Sequence, residues 1–75
     1  MALILYQRAD CHLCDLAIEV LAEARAGDFQ SVFIDDDDAL EARYGVRVPV
    51  LRMADGEAEL EWPFDVAAVR AFVDD

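Results

Sequence analysis

The sequence predicts an α/β domain in which a mixed four-stranded sheet is flanked by helices. The hydrophobic pattern shows short runs rich in β-formers and longer segments with apolar residues at three-to-four spacing, in the order β-α-β-α-β-β-α. A helix between the first two strands implies a parallel pair, and a short turn between the last two implies an antiparallel hairpin. At 75 residues, the chain is expected to form one domain over residues 1–75.

The first three elements form a predicted strand–helix–strand unit. The apolar run Ala2–Tyr6 has the length of a buried strand. From about His12 to Ala26, apolar residues recur on one helical face and acidic residues on the other, with Gly27 as the expected terminator. The segment Gln30–Ile34 is rich in β-formers and predicts the second strand, which a right-handed crossover would place beside the first.

The acidic run Asp35–Asp38 predicts a loop that leads into a second, short helix. Asp38 is the expected N-cap, because Asp38 and Glu41 have the spacing of a capping box, and the helix should end at Gly45. A metal-binding role for these aspartates is the alternative. The capping pattern favours the helix start.

The last three elements are predicted from turn and cap signals. Strands are expected at Pro49–Met53 and Ala58–Trp62, joined by a hairpin turn at Asp55-Gly56. Asp65 is the expected N-cap of the final helix, in which three valines and Phe72 form the apolar face.

The charge of the chain excludes two classes of partner. With six arginines, no lysine and 17 acidic residues, the formal net charge is −11. Such a charge repels nucleic acid and anionic lipid, so we expect neither as a partner. No apolar run reaches the length of a membrane span, and no positive segment precedes the apolar start, so we expect a cytoplasmic protein. We also expect a monomer.

The chain has two cysteines, Cys11 and Cys14, where the first loop becomes the first helix. A disulfide between them would close a very short loop and connect no distant elements, which disfavours a structural role. The unpaired amides of a helix N-terminus stabilise a thiolate on Cys11. Cys14, about one turn further in, is placed to attack a mixed disulfide formed on Cys11. The pair therefore predicts a catalytic site for thiol–disulfide exchange.

Two alternatives remain open for this pair, and His12 between them has two interpretations. Both cysteines could be ordinary small apolar residues of a helix start. Thiolates and His12 are good zinc ligands, but a structural zinc needs four ligands and the chain has two cysteines and one histidine, so we predict no metal. As a cation, His12 would tune the site by favouring a thiolate, while Asp10 and Asp15 would oppose it. Otherwise His12 is an exposed residue without a special role.

The segment Tyr6–Cys14 (Tyr-Gln-Arg-Ala-Asp-Cys-His-Leu-Cys) and the downstream segment Arg47–Leu51 (Arg-Val-Pro-Val-Leu) together resemble the glutaredoxin-like branch of the thioredoxin superfamily. The resemblance covers nearly the whole chain in element order. It implies a thioredoxin/glutaredoxin-like fold, oxidoreductase activity through the two cysteines, and a cis peptide bond before Pro49. The amide and carbonyl of Val48 would then be free to pair with a substrate peptide. A trans proline that starts an edge strand is the alternative.

The resemblance also implies roles for three other residues. Arg8 stands three positions before the first cysteine, where glutaredoxins often carry a cation that could pair with a glutathione carboxylate; a solvated loop arginine is the alternative. Asp65 matches an aspartate that helps to hold the γ-glutamyl end of glutathione, although its N-cap role needs no ligand. Trp62 with Pro63 replaces the family's Gly-Gly pair, and it could narrow that pocket or offer an apolar wall to a protein substrate.

The active-site sequence itself, Cys-His-Leu-Cys, departs from the family's usual Cys-Pro-Tyr-Cys and from the Cys-Gly-Phe-Ser of the cluster-carrying members. Our leading hypothesis is dithiol exchange with a disulfide-containing protein or a glutathione mixed disulfide. We expect no tightly bound cofactor, and glutathione is one candidate electron donor. The competing hypotheses are an interaction module without redox catalysis, and a metal or iron–sulfur carrier that bridges two chains through Cys11.

Overall fold

Residues 3–73, which the computed structural model describes, follow the predicted order of strands and helices. The elements are β1 (Leu3–Gln7), α1 (His12–Ala24), β2 (Phe29–Phe33), α2 (Asp38–Tyr44), β3 (Val50–Met53), β4 (Glu59–Glu61) and α3 (Val66–Val73). Their bounds differ from the predicted ones by one or two residues. Ala2, the predicted first residue of β1, lies outside the described residues. No helix within this range has both the length and the apolar character needed to cross a bilayer.

The four strands form one mixed sheet in the order β2-β1-β3-β4. β1 runs parallel to β2, with Gln7 opposite Phe33. β3 runs antiparallel to β1, with Tyr6 opposite Val50, and β4 runs antiparallel to β3. The end of β1, the end of β2 and the start of β3 therefore lie at the same end of the sheet, which we call the upper end. This topology places the loop after β1 beside the loop that precedes β3.

The sheet is covered by helices on both faces because its central strands are apolar on both sides. On one face, Leu5 and Leu51 pack with Leu21 of α1 and Val69 of α3, and all four are at most 2% exposed. On the other face, Tyr6 packs under α2 in a second cluster. Full burial of each large apolar side chain contributes about 1.5–3 kcal/mol relative to exposure. The result is an α/β/α arrangement with a small core on each side.

Helix α1 ends at Ala24, two residues before the predicted end, and its terminator is not glycine. Arg25 adopts the left-handed conformation (φ 54°). Its N–H donates to the carbonyl of Ala22, and the N–H of Ala26 donates to the carbonyl of Leu21, both at 3.2 Å. These two bonds form a Schellman motif. Arg25 therefore occupies the place that glycine usually takes.

Helix α2 begins one residue earlier than the capping pattern predicted. The N-cap is Asp37, whose Oδ1 accepts hydrogen bonds from the backbone N–H groups of Ala39 (3.0 Å) and Leu40 (3.1 Å). The prediction of Asp38 as N-cap was wrong, because adjacent aspartates are chemically equal candidates and only the path of the chain after β2 decides between them. The helix ends at Gly45 as predicted.

Candidate active site

Cys11 lies at the upper end of the sheet, where it is the N-cap residue of α1. Its backbone is extended (φ −102°, ψ 108°), and its Sγ accepts a hydrogen bond from the backbone N–H of Cys14 at 3.1 Å. The sulfur thus satisfies one of the amides that a helix start leaves unpaired. The contact favours the thiolate form, because an anionic sulfur is the stronger acceptor.

The loop that carries Cys11 is fixed by a turn and by a contact with the neighbouring loop. Asp10 has a left-handed backbone (φ 56°), a region that aspartate adopts more readily than most residues other than glycine. The N–H of Ala9 donates to Oδ2 of Asp35, which follows β2, at 2.9 Å. These features position the first cysteine before any substrate is present.

The two cysteines differ in accessibility. Cys11 is half-buried, whereas Cys14 is only 1% exposed. Cys11 is therefore the sulfur that a dissolved molecule can reach, whereas Cys14 is shielded from solvent. This asymmetry matches separate attacking and resolving roles.

The two residues between the cysteines both point outward. His12 is exposed and takes part in none of the salt bridges found among residues 3–73. Leu13 is 44% exposed, which is unusual for a large apolar side chain. The tuning role of His12 remains a prediction, while Leu13, two positions after Cys11, is an exposed apolar residue that the predicted site did not include.

The Val48–Pro49 segment reaches the upper end of the sheet next to the cysteine loop, because Val50 lies opposite Tyr6 in the antiparallel register of β1 and β3. The Val48–Pro49 peptide bond is cis, and so is Trp62–Pro63. Contrary to expectation, the amide of Val48 is not free, since it donates to the carbonyl of Tyr44 at 3.0 Å. The Val48 carbonyl accepts no hydrogen bond from residues 3–73. Of the two backbone hydrogen bonds that Val48 was predicted to offer a substrate peptide, only the one accepted by its carbonyl is therefore available.

Arg8 is neither a solvated loop residue nor a free cation beside the thiol. Its Nη1 donates to Oε2 of Glu41 at 2.7 Å, and its Nη2 donates to Oε1 of Glu41 at 2.5 Å and to the carbonyl of Gly45 at 2.8 Å. Asp35 lies 3.9 Å from the same guanidinium. The predicted pairing with a glutathione carboxylate therefore competes with a carboxylate of this chain.

The Arg8–Glu41 pair changes the pKa of both side chains, and Glu41 leaves no room for a side chain at Gly45. The hydrogen bond between them raises the pKa of Arg8 and holds the pKa of Glu41 below its usual value. A Cβ added to Gly45 would overlap the backbone carbonyl oxygen of Glu41 and would also lie 2.7 Å from its Oε1, closer than carbon and oxygen approach without a bond. Glycine is thus required here by the nearness of both the backbone carbonyl and the carboxylate of Glu41.

Arg47, directly before Val48, fixes the loop between α2 and β3 (residues 45–49), which we call the second loop, to β4. Its Nε donates to Glu61 and its Nη2 to Glu59, both at 2.7 Å. The Tyr44 hydroxyl donates to Glu59 at 2.6 Å. Burial and this hydrogen bond raise the pKa of Tyr44 to about 12. Burial opposes ionisation of Glu59, but the hydrogen bonds from the tyrosine and the arginine outweigh it and lower the pKa of that carboxyl.

Trp62 lies beside Pro49, whereas Asp65 lies at the start of α3. The N–H of Trp62 donates to the carbonyl of Pro49 at 3.2 Å, and its half-buried ring packs edge to face on Phe64 with centroids 5.0 Å apart. Trp62 therefore adjoins the proline. Oδ1 of Asp65 accepts from the N–H of Ala68 at 2.8 Å, so this carboxylate caps α3 as predicted. Its role toward a ligand remains a prediction.

Sequence reasoning missed the glutamates that position the site. Glu41 and its arginine are 33 positions apart, and Glu59 joins Arg47 across 12 positions, so no local pattern marks either pair. Within residues 3–73, no group of three histidine, cysteine or acidic side chains is arranged to hold a metal ion.

The sheet order, the helices on both faces and a Cys-X-X-Cys pair at the start of α1 define a protein of the thioredoxin-like fold. The chain belongs to the family described as "Glutaredoxin-like domain (DUF836)", whose model matches residues 2–74. The family resemblance and the fold predicted from the sequence are thus confirmed.

Solved structures of similar proteins have the same fold over nearly the whole chain. An X-ray structure of the protein XcR50 from X. campestris is 65% identical with a TM-score of 0.91, covering 96% of this chain and 95% of that one. A solution structure of XcR50 gives 66% identity and a TM-score of 0.90, covering 99% and 94%. Protein Ne2328 from Nitrosomonas europaea is 29% identical with a TM-score of 0.80, covering 95% and 88%. No curated protein matches the sequence significantly.

Proposed function

We propose that this protein is a thiol–disulfide oxidoreductase that works by dithiol exchange through Cys11 and Cys14. The observation that carries the proposal is the position of the Cys11 sulfur as N-cap of α1, half-buried and hydrogen-bonded to the Cys14 amide at 3.1 Å. A helix start supplies partial positive charge and amide donors that stabilise a thiolate near neutral pH. The buried second cysteine supports a resolving role.

The reaction consists of two exchanges. The thiolate of Cys11 attacks one sulfur of the substrate disulfide, forms a mixed disulfide, and releases the other substrate sulfur as a thiolate. Cys14 then loses its proton to solvent and attacks the Cys11 sulfur, which releases the second substrate thiolate and leaves a Cys11–Cys14 disulfide. Two electrons pass from the cysteine pair to the substrate, and an external dithiol or thiol returns them.

The second loop supports the mixed disulfide. The Val48 carbonyl can accept one hydrogen bond from a substrate amide, and the half-buried Trp62, bonded to the carbonyl of the fully buried Pro49, forms the adjoining wall. His12 tunes the thiolate from its exposed position. Arg8 contributes to positioning through Glu41. We place this activity in the cytoplasm, where the reduced dithiol form predominates, and in a monomer.

The decisive experiment traps the intermediate. The Cys14→Ser variant, reduced and then mixed with a peptide disulfide, should accumulate a mixed disulfide on Cys11 that intact-mass spectrometry detects. The Cys11→Ser variant is the matched control and should form no adduct. A folded Cys14→Ser variant whose Cys11 stays unmodified would contradict redox catalysis and favour an interaction module.

A further inference from the structure

The arginine of the loop before Cys11 is already paired, whereas the acidic residues beside this cysteine are not. Arg8 directs both terminal nitrogens of its guanidinium at Glu41 and Gly45. Asp10, adjacent to the cysteine, and Asp15, whose N–H bonds to the Cys11 carbonyl at 3.2 Å, are exposed. Neither aspartate forms a salt bridge within residues 3–73. A substrate therefore approaches the thiol past unpaired carboxylates.

The exposed apolar side chains lie at the same end of the molecule. Three large apolar residues in the described range 3–73 are exposed: Leu13 at 44%, Phe33 at 55% and Val46 at 101%. Leu13 is in the first turn of α1, Phe33 is the last residue of β2, and Val46 is in the turn that leads to Val48 and Pro49. Leu13 and Phe33 belong to elements that begin or end at the upper end of the sheet, and the turn with Val46 leads to the same end. Exposed apolar side chains around a reactive group are typical of a surface that binds a polypeptide.

We propose that the substrate disulfide belongs to a positively charged polypeptide segment with an apolar side chain near the cysteine. This inference rests on the proposed function and names its substrate class. Glu41 is the specificity-determining residue, because its pairing with Arg8 removes the cation that an anionic thiol compound would need. Unpaired carboxylates attract a basic segment electrostatically, and Leu13 supplies an apolar contact beside the reacting sulfur.

Glutathione is the informative counter-example. Each glutathione unit carries more carboxylates than ammonium groups and no large apolar side chain. Its disulfide therefore meets Asp10 and Asp15 as like charges, and it finds Arg8 occupied by Glu41. The net charge of −11 also repels the anionic glutathione disulfide. We expect glutathione disulfide to react slowly with the same cysteine that reduces a basic peptide quickly.

The test compares two homodimeric peptide disulfides that share the same cysteine and neighbouring leucine. One carries lysines and the other carries glutamates at the remaining positions, and glutathione disulfide is the third substrate. The fully reduced protein is mixed with each, quenched by alkylation and assayed by intact mass. The lysine peptide should oxidise the cysteine pair about tenfold faster than the glutamate peptide at low ionic strength, and this ratio should fall as salt is added.

Variants identify the residues responsible. Asp10→Asn combined with Asp15→Asn should reduce the lysine-peptide preference about threefold, since asparagine keeps the left-handed turn but removes both charges. Glu41→Gln frees Arg8 and should raise the glutathione disulfide rate about two- to fivefold. Glu23→Gln, an exposed position near the other end of α1, is the matched control and should change neither rate.

The outcomes separate this inference from the proposed function. Equal rates for both peptides, or a faster reaction with glutathione disulfide, would overturn the substrate class while leaving dithiol exchange intact. The absence of reaction with all three disulfides would overturn the proposed function itself. A Glu41→Gln variant, folded by circular dichroism, with an unchanged glutathione disulfide rate would remove Glu41 from the inference.

Discussion

Arg8 joins the loop before the cysteines to helix α2 by bonding both oxygens of the Glu41 carboxylate. Arg47 makes the corresponding contact for the loop before Pro49, by bonding Glu59 and Glu61 of β4. Both segments that form the candidate site are therefore anchored by arginine–glutamate pairs to elements that carry no reacting group. The residues that position these segments are thus distinct from the cysteines that we propose to react.

Substitutions of Cys11 should separate capping from catalysis. Cys11→Ser should abolish disulfide exchange while keeping the stability of the native protein, because the serine hydroxyl is a strong N-cap acceptor. Cys11→Ala should abolish exchange and also lower the free energy of unfolding by about 0.5–1 kcal/mol, since the Cys14 amide loses its partner. Urea denaturation of the reduced proteins measures the difference. Equal stability of the two variants would show that the sulfur does not cap the helix.

Gly45→Ala should destabilise the protein by about 1–3 kcal/mol, because the new methyl group would overlap the backbone carbonyl oxygen of Glu41 as well as its carboxylate. Gly56→Ala is the matched control, since its nearest contact would be Met53 at an ordinary 3.9 Å, and its effect should be small. Thermal unfolding of both variants tests the prediction. A similar stability for both would mean that the backbone and the carboxylate of Glu41 move aside without cost.

Tyr44→Phe should change how the free energy of unfolding depends on pH above about pH 10. The pKa of Tyr44 is raised to about 12 in the folded protein, while an unfolded tyrosine ionises near pH 10. A raised pKa contributes stability that is fully present below about pH 10 and is lost as the pH rises toward 12. The wild-type protein should therefore lose stability over this range more steeply than Tyr44→Phe. Parallel curves from urea titrations at several pH values would rule out the raised pKa.

Trp62→Ala should slow the oxidation of the cysteine pair by an apolar peptide disulfide about threefold to tenfold, by removing the aromatic wall beside Pro49. Its alkylation rate at Cys11 should stay unchanged. Phe72→Ala is the control, because Phe72 packs on the same core from α3 and its loss should lower stability without changing the exchange rate. A rate loss of equal size in both variants would assign the effect to general destabilisation.

The order of elements could be predicted because its signals are local. Apolar spacing marks each helix and strand, and Gly45 and Asp65 end or cap helices at the predicted positions. The predicted helix boundaries were wrong where several neighbouring residues offered equivalent signals. Gly27 does have a positive φ (86°), but α1 had already ended at Ala24, with Arg25 as its left-handed cap.

The candidate site was predictable only as far as its residues are neighbours in sequence. The spacing of Cys11 and Cys14 fixes their relation on one helical turn. The availability of the Val48 amide depends on the carbonyl of Tyr44, and the state of Arg8 depends on Glu41, which lies on another element. Such contacts arise from tertiary packing and leave no periodic pattern.

Trp62 is the single tryptophan of the chain, and its backbone N–H is bonded to the carbonyl of Pro49. All tryptophan fluorescence of this protein therefore comes from one residue, beside the segment that faces the cysteines. Fluorescence thus reads out the environment of this point without any attached dye.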